Sequence, residues 1–150
     1  MQQTYNNIFP NLPDSSRIWI YQNQSPISEE TQRLIQEKLN YFVSEWAAHG
    51  AQLYGESIIL EDYFIILSVD ETKTTASGCS IDSSVHFIKE LAKEFNLNLF
   101  DRLNVLIEQD NEKKIVHFSE VNNYSNAIFY NPLVKDLGEF RTGWKNKLIQ

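Results

Sequence analysis

The hydrophobic positions of this chain change period several times, and each change marks an element. Residues 17–22 (Arg-Ile-Trp-Ile-Tyr-Gln) are β-branched and aromatic and predict a first strand, which Pro26 ends. Ser28 follows as a helix cap ahead of Glu29 and Glu30, carboxylates suited to the positive end of a helix dipole. Ile35, Leu39, Phe42 and Trp46 recur at steps of four, three and four, the spacing of one helical face. Gly50 is expected to end this helix just after His49. Two apolar runs come next, 52–60 and 63–70; with only Glu61 and Asp62 between them they read as a hairpin, although the turn lacks glycine. Ile81, Val85, Ile88, Ala92 and Phe95 form the stripe of a second helix. Residues 104–109 and 114–119 predict another hairpin around 110–113. The pattern then weakens to a short strand over 127–130 and a helix over 133–148, interrupted by Gly138 and Gly143. Residues 1–16, punctuated by Asn, Pro, Asp and Ser, read as an irregular arm with Phe9 and Leu12 as anchors.

The order β-α-β-β-α-β-β with a C-terminal element predicts a single α+β domain over residues 1–150. Its first six elements fit the ferredoxin-like β-α-β-β-α-β sandwich, leaving an extra edge strand and a C-terminal extension. The alternative is a different α+β sheet to which the tail contributes a strand. In the ferredoxin-like plait, three distant features meet at one end of the sheet: the arm entering at Arg17, the corner at Trp46, His49 and Gly50, and the loop over 74–82. Such a sheet leaves one face free of helices. With Trp19, Trp46, Tyr54 and Tyr63 at hand, that face is expected to pack on a second subunit, on the tail or on a flat ligand. A homodimer is therefore expected, and residues 140–144 (Phe-Arg-Thr-Gly-Trp) are the part of the tail that can fold back.

Composition narrows the partners. A chain of 150 residues that is 42% apolar can build a real core. A net charge of −7 repels phosphate backbones and anionic membranes, so no nucleic-acid or membrane partner is expected. One cysteine allows no intrachain disulfide, which suits a reducing compartment. Residues 1–12 hold neither a basic nor an apolar signal region, and the longest apolar run is far too short to span a bilayer, so a cytoplasmic location is expected.

The chemistry that stands out lies at Ser77, Gly78, Cys79, Ser80, Ile81 and Asp82, between a strand and a helix. A thiol at a helix N-terminus meets unpaired N–H groups and the positive end of the dipole, an environment that favours a thiolate. Cys79 is thus a candidate nucleophile, with His49 as its base; the other reading is a small residue packing a tight loop. The same loop also reads as a cradle for a polar ligand, built from Gly78 and the hydroxyls of Ser77, Ser80, Ser83 and Ser84, or simply as a helix cap. Arg17 is placed to pair with an anionic group of such a ligand, Trp46 to stack on a flat one, and Asp82 to orient it. Asp82 and His86, four apart, share a helix face and read as an exposed pair. The three histidines lack a metal-ligand spacing, and no metal or cofactor is expected.

Residues 65–71 (Ile-Ile-Leu-Ser-Val-Asp-Glu) look like a Walker B strand, but none of the five glycines begins the Gly-Lys-Ser or Gly-Lys-Thr of a phosphate loop. A P-loop ATPase is excluded on that ground. Phe9-Pro10, Arg17, Trp19, Trp46-Ala47-Ala48-His49-Gly50, Val69-Asp70-Glu71 and Ser77-Gly78-Cys79-Ser80-Ile81-Asp82 together resemble a family of small uncharacterised bacterial proteins. Some of its members carry the label "ABC transporter ATPase". The resemblance implies a grouping and supplies no mechanism. The expected function is binding of a small polar ligand or a protein partner at the 77–82 loop. The alternative is a cofactor-free enzyme using Cys79 and His49.

Overall fold

The computed structural model describes residues 5–148, which form an α+β structure. In chain order the elements are β1 (Arg17–Gln22), α1 (Glu29–Glu45), β2 (Ala47–Ala48), β3 (Ala51–Gln52), β4 (Tyr54–Leu60), β5 (Phe64–Asp70), α2 (Gly78–Phe95), β6 (Asn104–Gln109), β7 (Glu112–His117), β8 (Ile128–Tyr130), α3 (Leu137–Gly143) and β9 (Lys145–Lys147). Helix α1 is capped by Ser28, whose hydroxyl accepts from the Thr31 amide, and it ends short of the expected His49. The reason is a small hairpin in which Ala48 faces Ala51 across His49 and Gly50. Both tip residues have positive φ, 52° and 76°, the turn geometry that matches strand twist. Gly50 is therefore a turn glycine and not the end of a helix.

The central sheet runs β1-β5-β4, all antiparallel. Strand β5 is buried over its whole length, and its alternating residues feed two cores. Ile65, Leu67 and Val69 join Ile35 and Leu39 of α1 and Ile88 and Leu91 of α2. Phe64 and Ile66 join Tyr130, Leu137, Phe140 and Trp144 on the opposite face. The face expected to be free of helices is thus covered by the chain's own tail and by Ile8, Phe9 and Leu12 of the arm. That cover removes the reason for expecting a second subunit there. The Arg141 guanidinium holds the arm in place, donating to the carbonyls of Ile8, Phe9 and Leu12 and to Asp14.

The order β1-β5-β4 is that of the plait's first three strands, but the fourth does not close onto it. Strand β6 pairs with β7 along its length on one edge and with β8 at Ile107 and Glu108 on the other. Where it passes β1, the Gln22 side chain takes the place of a backbone ladder: its Nε2 donates to Asn104 O (3.2 Å) and its Oε1 accepts from Leu106 N (3.0 Å). The second sheet runs β7-β6-β8-β9. The predicted helix over 133–148 shortens to α3, and the segment after Gly143 becomes β9, so the tail does contribute a strand. No helix among the described residues is long and apolar enough to cross a membrane.

Candidate functional site

At the end of the central sheet where β1 begins and β5 finishes, a run of contacts links four of the predicted residues. The Arg17 guanidinium lies 5.4 Å from the Trp19 ring, and Trp19 packs on Trp46 with centroids 5.6 Å apart. The Trp46 indole N–H then donates to Ser80 O at 2.9 Å, and Ser80 is bonded in turn to Ser77. From the other side, Glu71 accepts the Ala76 amide (2.9 Å) and lies 3.9 Å from Arg17.

The serines of the loop work for the helix. Ser77 Oγ accepts from Ser80 N, and Ser80 Oγ accepts from Ser77 N, a reciprocal cap that satisfies two otherwise unpaired amides. Ser83 donates to Cys79 O and Ser84 to Ile81 O. All four hydroxyls assigned to a ligand cradle are thus committed to backbone groups of the loop or helix. Trp46 is 2% exposed and Ser80 3%, so neither offers a surface to a ligand; Trp46 supports the loop from beneath instead of stacking on a flat group. Gly78, Cys79, Asp82 and Ser83 are exposed along the first turns of α2. His49 is exposed at the tip of the hairpin, whose β2 strand packs against α2. Neither His49 nor Cys79 has a side-chain hydrogen bond or ion pair among the described residues.

The Asp-Glu pair that imitates a Walker B end also builds this loop. Asp70 Oδ1 accepts the Thr72 hydroxyl (2.6 Å) and amide (2.9 Å), and those bonds hold its carboxyl below the usual carboxylate range. Among the described residues no group of three or more His, Cys, Asp or Glu is placed to hold a metal ion.

The open space at this end lies on the other side of Trp46. A groove of about 460 Å³ runs past Leu12, Ser44, Gln52, Tyr54, Glu56 and Lys73. Gly55 forms its floor, where an added Cβ would lie 3.4 Å from the Trp46 ring and 3.2 Å from Ser68 O. Tyr54 is 48% exposed, with the Lys73 ammonium 4.7 Å from its ring centroid. Burial raises the Glu56 carboxyl above its ordinary range. These groove residues escaped the sequence reading, which took Tyr54 as a core or interface residue. The only signal for them is the polar interruption Tyr54-Gly55-Glu56-Ser57 ahead of the apolar Ile58-Ile59-Leu60.

A second polar cluster, also missed, closes the far side of the molecule. Glu61 accepts from Tyr5, from Lys145 Nζ at 2.9 Å and from Lys113 Nζ at 3.2 Å, and Tyr130 donates to Glu108 at 3.2 Å. Burial pushes the Glu61 carboxyl up, but the bonds from Tyr5, Lys145 and Lys113 outweigh it and the net shift is down. Burial raises the Tyr5 and Tyr130 phenols in turn, with the neighbouring carboxylates adding to the effect. Comparison with family models, with curated proteins and with solved structures gives no match.

Proposed function

We propose that this protein is a binding module whose recognition surface is the loop-bearing end of the central sheet, and that it takes a small polar ligand there. What supports this reading is the groove lined by Tyr54, Glu56 and Lys73: its volume of about 460 Å³ falls in the range of small-molecule sites. An exposed ring, a cation held over it and a half-buried carboxylate offer one surface for a flat group and two for polar ones. The ligand class that fits carries a hydroxyl or amine to meet Glu56 and a planar portion to lie on Tyr54. Gly78 and Asp82 are exposed on the 77–82 loop, which Ser77, Ser80 and Trp46 hold from within, and they stand outside the lining of this groove. The ferredoxin-like kinship of the β1 to α2 half, a cytoplasmic setting and membership of the group bearing the Ser-Gly-Cys-Ser-Ile-Asp motif belong to the same proposal.

The test is a thermal-shift screen with small hydroxylated and amine-bearing metabolites. A stabilising compound is expected, with its shift abolished by Tyr54→Ala or Glu56→Gln. A shift that survives both substitutions, or no shift from any compound, overturns the assignment. A second reading, catalysis by Cys79 with His49 as base, draws on the exposure of Cys79 in the first turn of α2. It predicts that the pH profile of iodoacetamide labelling is displaced from that of an ordinary thiol; an ordinary profile removes it.

A further inference from the structure

The groove beside Tyr54 already holds a positive charge of the chain's own, and that occupant indicates the charge of the ligand. Tyr54 and Glu56, two positions apart on β4, project from the same face of the sheet, and the register of Tyr54 with Asp70 puts Asp70 beside them on that face. All three line the groove. The Lys73 ammonium, on the loop after β5, lies 4.7 Å from the Tyr54 centroid and makes no hydrogen bond or ion pair among the described residues. Only attraction to the ring and to the Asp70 charge holds it there. The half-buried Glu56 carboxylate likewise has no hydrogen bond or ion pair among the described residues. Asp70 uses Oδ1 for both bonds from Thr72, and its Oδ2 takes no hydrogen bond among the described residues. Two neutral donors of the wall are spent: Gln52 Nε2 on the carbonyls of Val43, Trp46 and Leu53, and the Ser44 hydroxyl on Tyr41 O. The charges that line the groove are thus two carboxylates and one exposed, loosely held cation, on a chain of net charge −7.

We propose that the groove takes a small guanidinium compound, whose planar cation replaces the Lys73 ammonium on Tyr54 and donates to Glu56. The inference rests on the groove being the ligand site and specifies the charge of what binds there. A guanidinium supplies a plane for the ring and N–H donors for the carboxylate in a single group. It stacks on aromatic faces, is more weakly hydrated than an ammonium, and presents a fork of donors that matches a carboxylate. Tyr54 and Glu56 stand about 7 Å apart along the strand, a span that one cation stacked on the ring and bonded through its edge can bridge. Asp70 adds a second negative charge beside the ring. An anionic ligand would meet Glu56 and Asp70 with like charge, and a neutral one would displace Lys73 without replacing its charge. Lys73 is then a built-in competitor: its ammonium covers Tyr54 when the ligand is absent, and its side chain turns out to solvent when the ligand binds.

The experiment titrates the full chain with three compounds of similar shape and follows binding by NMR. Butylguanidine is planar and charged, butylurea planar and neutral, and butylammonium charged without the plane. Butylguanidine is expected to bind about tenfold more tightly than butylurea, and Glu56→Gln to remove about the same factor. Lys73→Ala is expected to tighten butylguanidine by about two- to fivefold, the gain from freeing an exposed ring of its cation. Circular dichroism checks that both variants fold; if Glu56→Gln does not, Lys73→Ala on its exposed loop and the butylurea comparison decide. No binding of butylguanidine, equal binding of butylurea or butylammonium, or a folded Lys73→Ala protein that binds butylguanidine no more tightly than wild type overturns the proposal. The site and the charge of its ligand fail separately. A neutral or anionic compound whose thermal shift depends on Tyr54 and Glu56, with no binding of butylguanidine, keeps the groove as a ligand site and overturns the guanidinium assignment. The peptide Gly-Gly-Arg-Gly-Gly separates the sources: tighter binding than butylguanidine overturns the small compound in favour of an arginine on a protein partner, and weaker binding supports the small compound.

Discussion

Glu61 shows how one side chain can be held against its conformational preference. It and Asp62 form the β4–β5 turn with φ of 58° and 65°, a region non-glycine residues avoid. Contacts hold the pair there: the Glu61 carboxylate gathers Tyr5, Lys145 and Lys113, and Asp62 accepts from Gln32 at 2.8 Å. Removing the charge breaks the ion pair between Glu61 and Lys145, which is 8% exposed at its side chain. Glu61→Gln is therefore expected to cost about 3 kcal/mol in urea unfolding at neutral pH, the low end for breaking a buried pair. The pH dependence follows from the downward shift of Glu61. The carboxylate's contribution is complete above the ordinary carboxylate range and is lost as pH falls through its lowered value. The gap between wild type and Glu61→Gln should hold steady from neutral pH down to the ordinary carboxylate range and narrow below it. A gap that widens in acid contradicts the assignment. No pattern in the sequence exposes this cluster, because Tyr5, Glu61, Lys113 and Lys145 lie on four separate segments.

At the scale of elements, α2 carries the clearest lesson. The residues that suggested a ligand cradle were rightly placed on a strand-to-helix turn, and the local signal for a cap was present in Ser77 and Ser80. What the one-dimensional pattern left open was the direction of the hydroxyls. The reciprocal cap and the bonds from Ser83 and Ser84 resolve that in favour of the backbone. Ser77→Ala should lower stability by about 1 kcal/mol, the usual loss for a removed N-cap. Equal urea midpoints for the two proteins would show that the cap contributes nothing. The stripe of α2 was legible to within a fraction of a turn: Ile88 and Ala92 are buried as expected, while Ser80, Ser84 and Leu91 complete the buried face in place of Ile81, Val85 and Phe95 at its flanks. The end of α1 was misplaced because a left-handed glycine signals a helix stop and a hairpin turn equally well.

In the whole molecule, the central sheet is the middle layer between two helices and a tail-built cap. Trp144 anchors that cap: it is fully buried, stacks on Phe140 at 4.5 Å and meets Phe64 edge-on at 4.8 Å. Trp144→Ala is expected to cost about 3–5 kcal/mol, as for large aromatics removed from a core. It should also loosen the N-terminal arm, since Tyr5 packs on the same indole with centroids 5.5 Å apart. Limited proteolysis within residues 5–16 reads the second effect. Arm resistance unchanged in a folded Trp144→Ala protein would separate the two segments.

The sequence by itself determined the longer strands and helices as far as residue 117, though not the 47–52 hairpin that replaces the end of α1, because periodicity and capping act within a few residues of each other. It also placed Arg17, Trp46 and Ser80 at one end of the sheet, since β1, α1, β4, β5 and α2 follow one another through short connections. Tertiary structure alone decided that β6 leaves the sheet for β7 and β8, that the tail supplies a strand and covers the second face, and that Glu61 is neutralised by two distant lysines. Those outcomes depend on competition among non-local partners for the same strand edges and apolar surfaces, and that competition has no period along the chain.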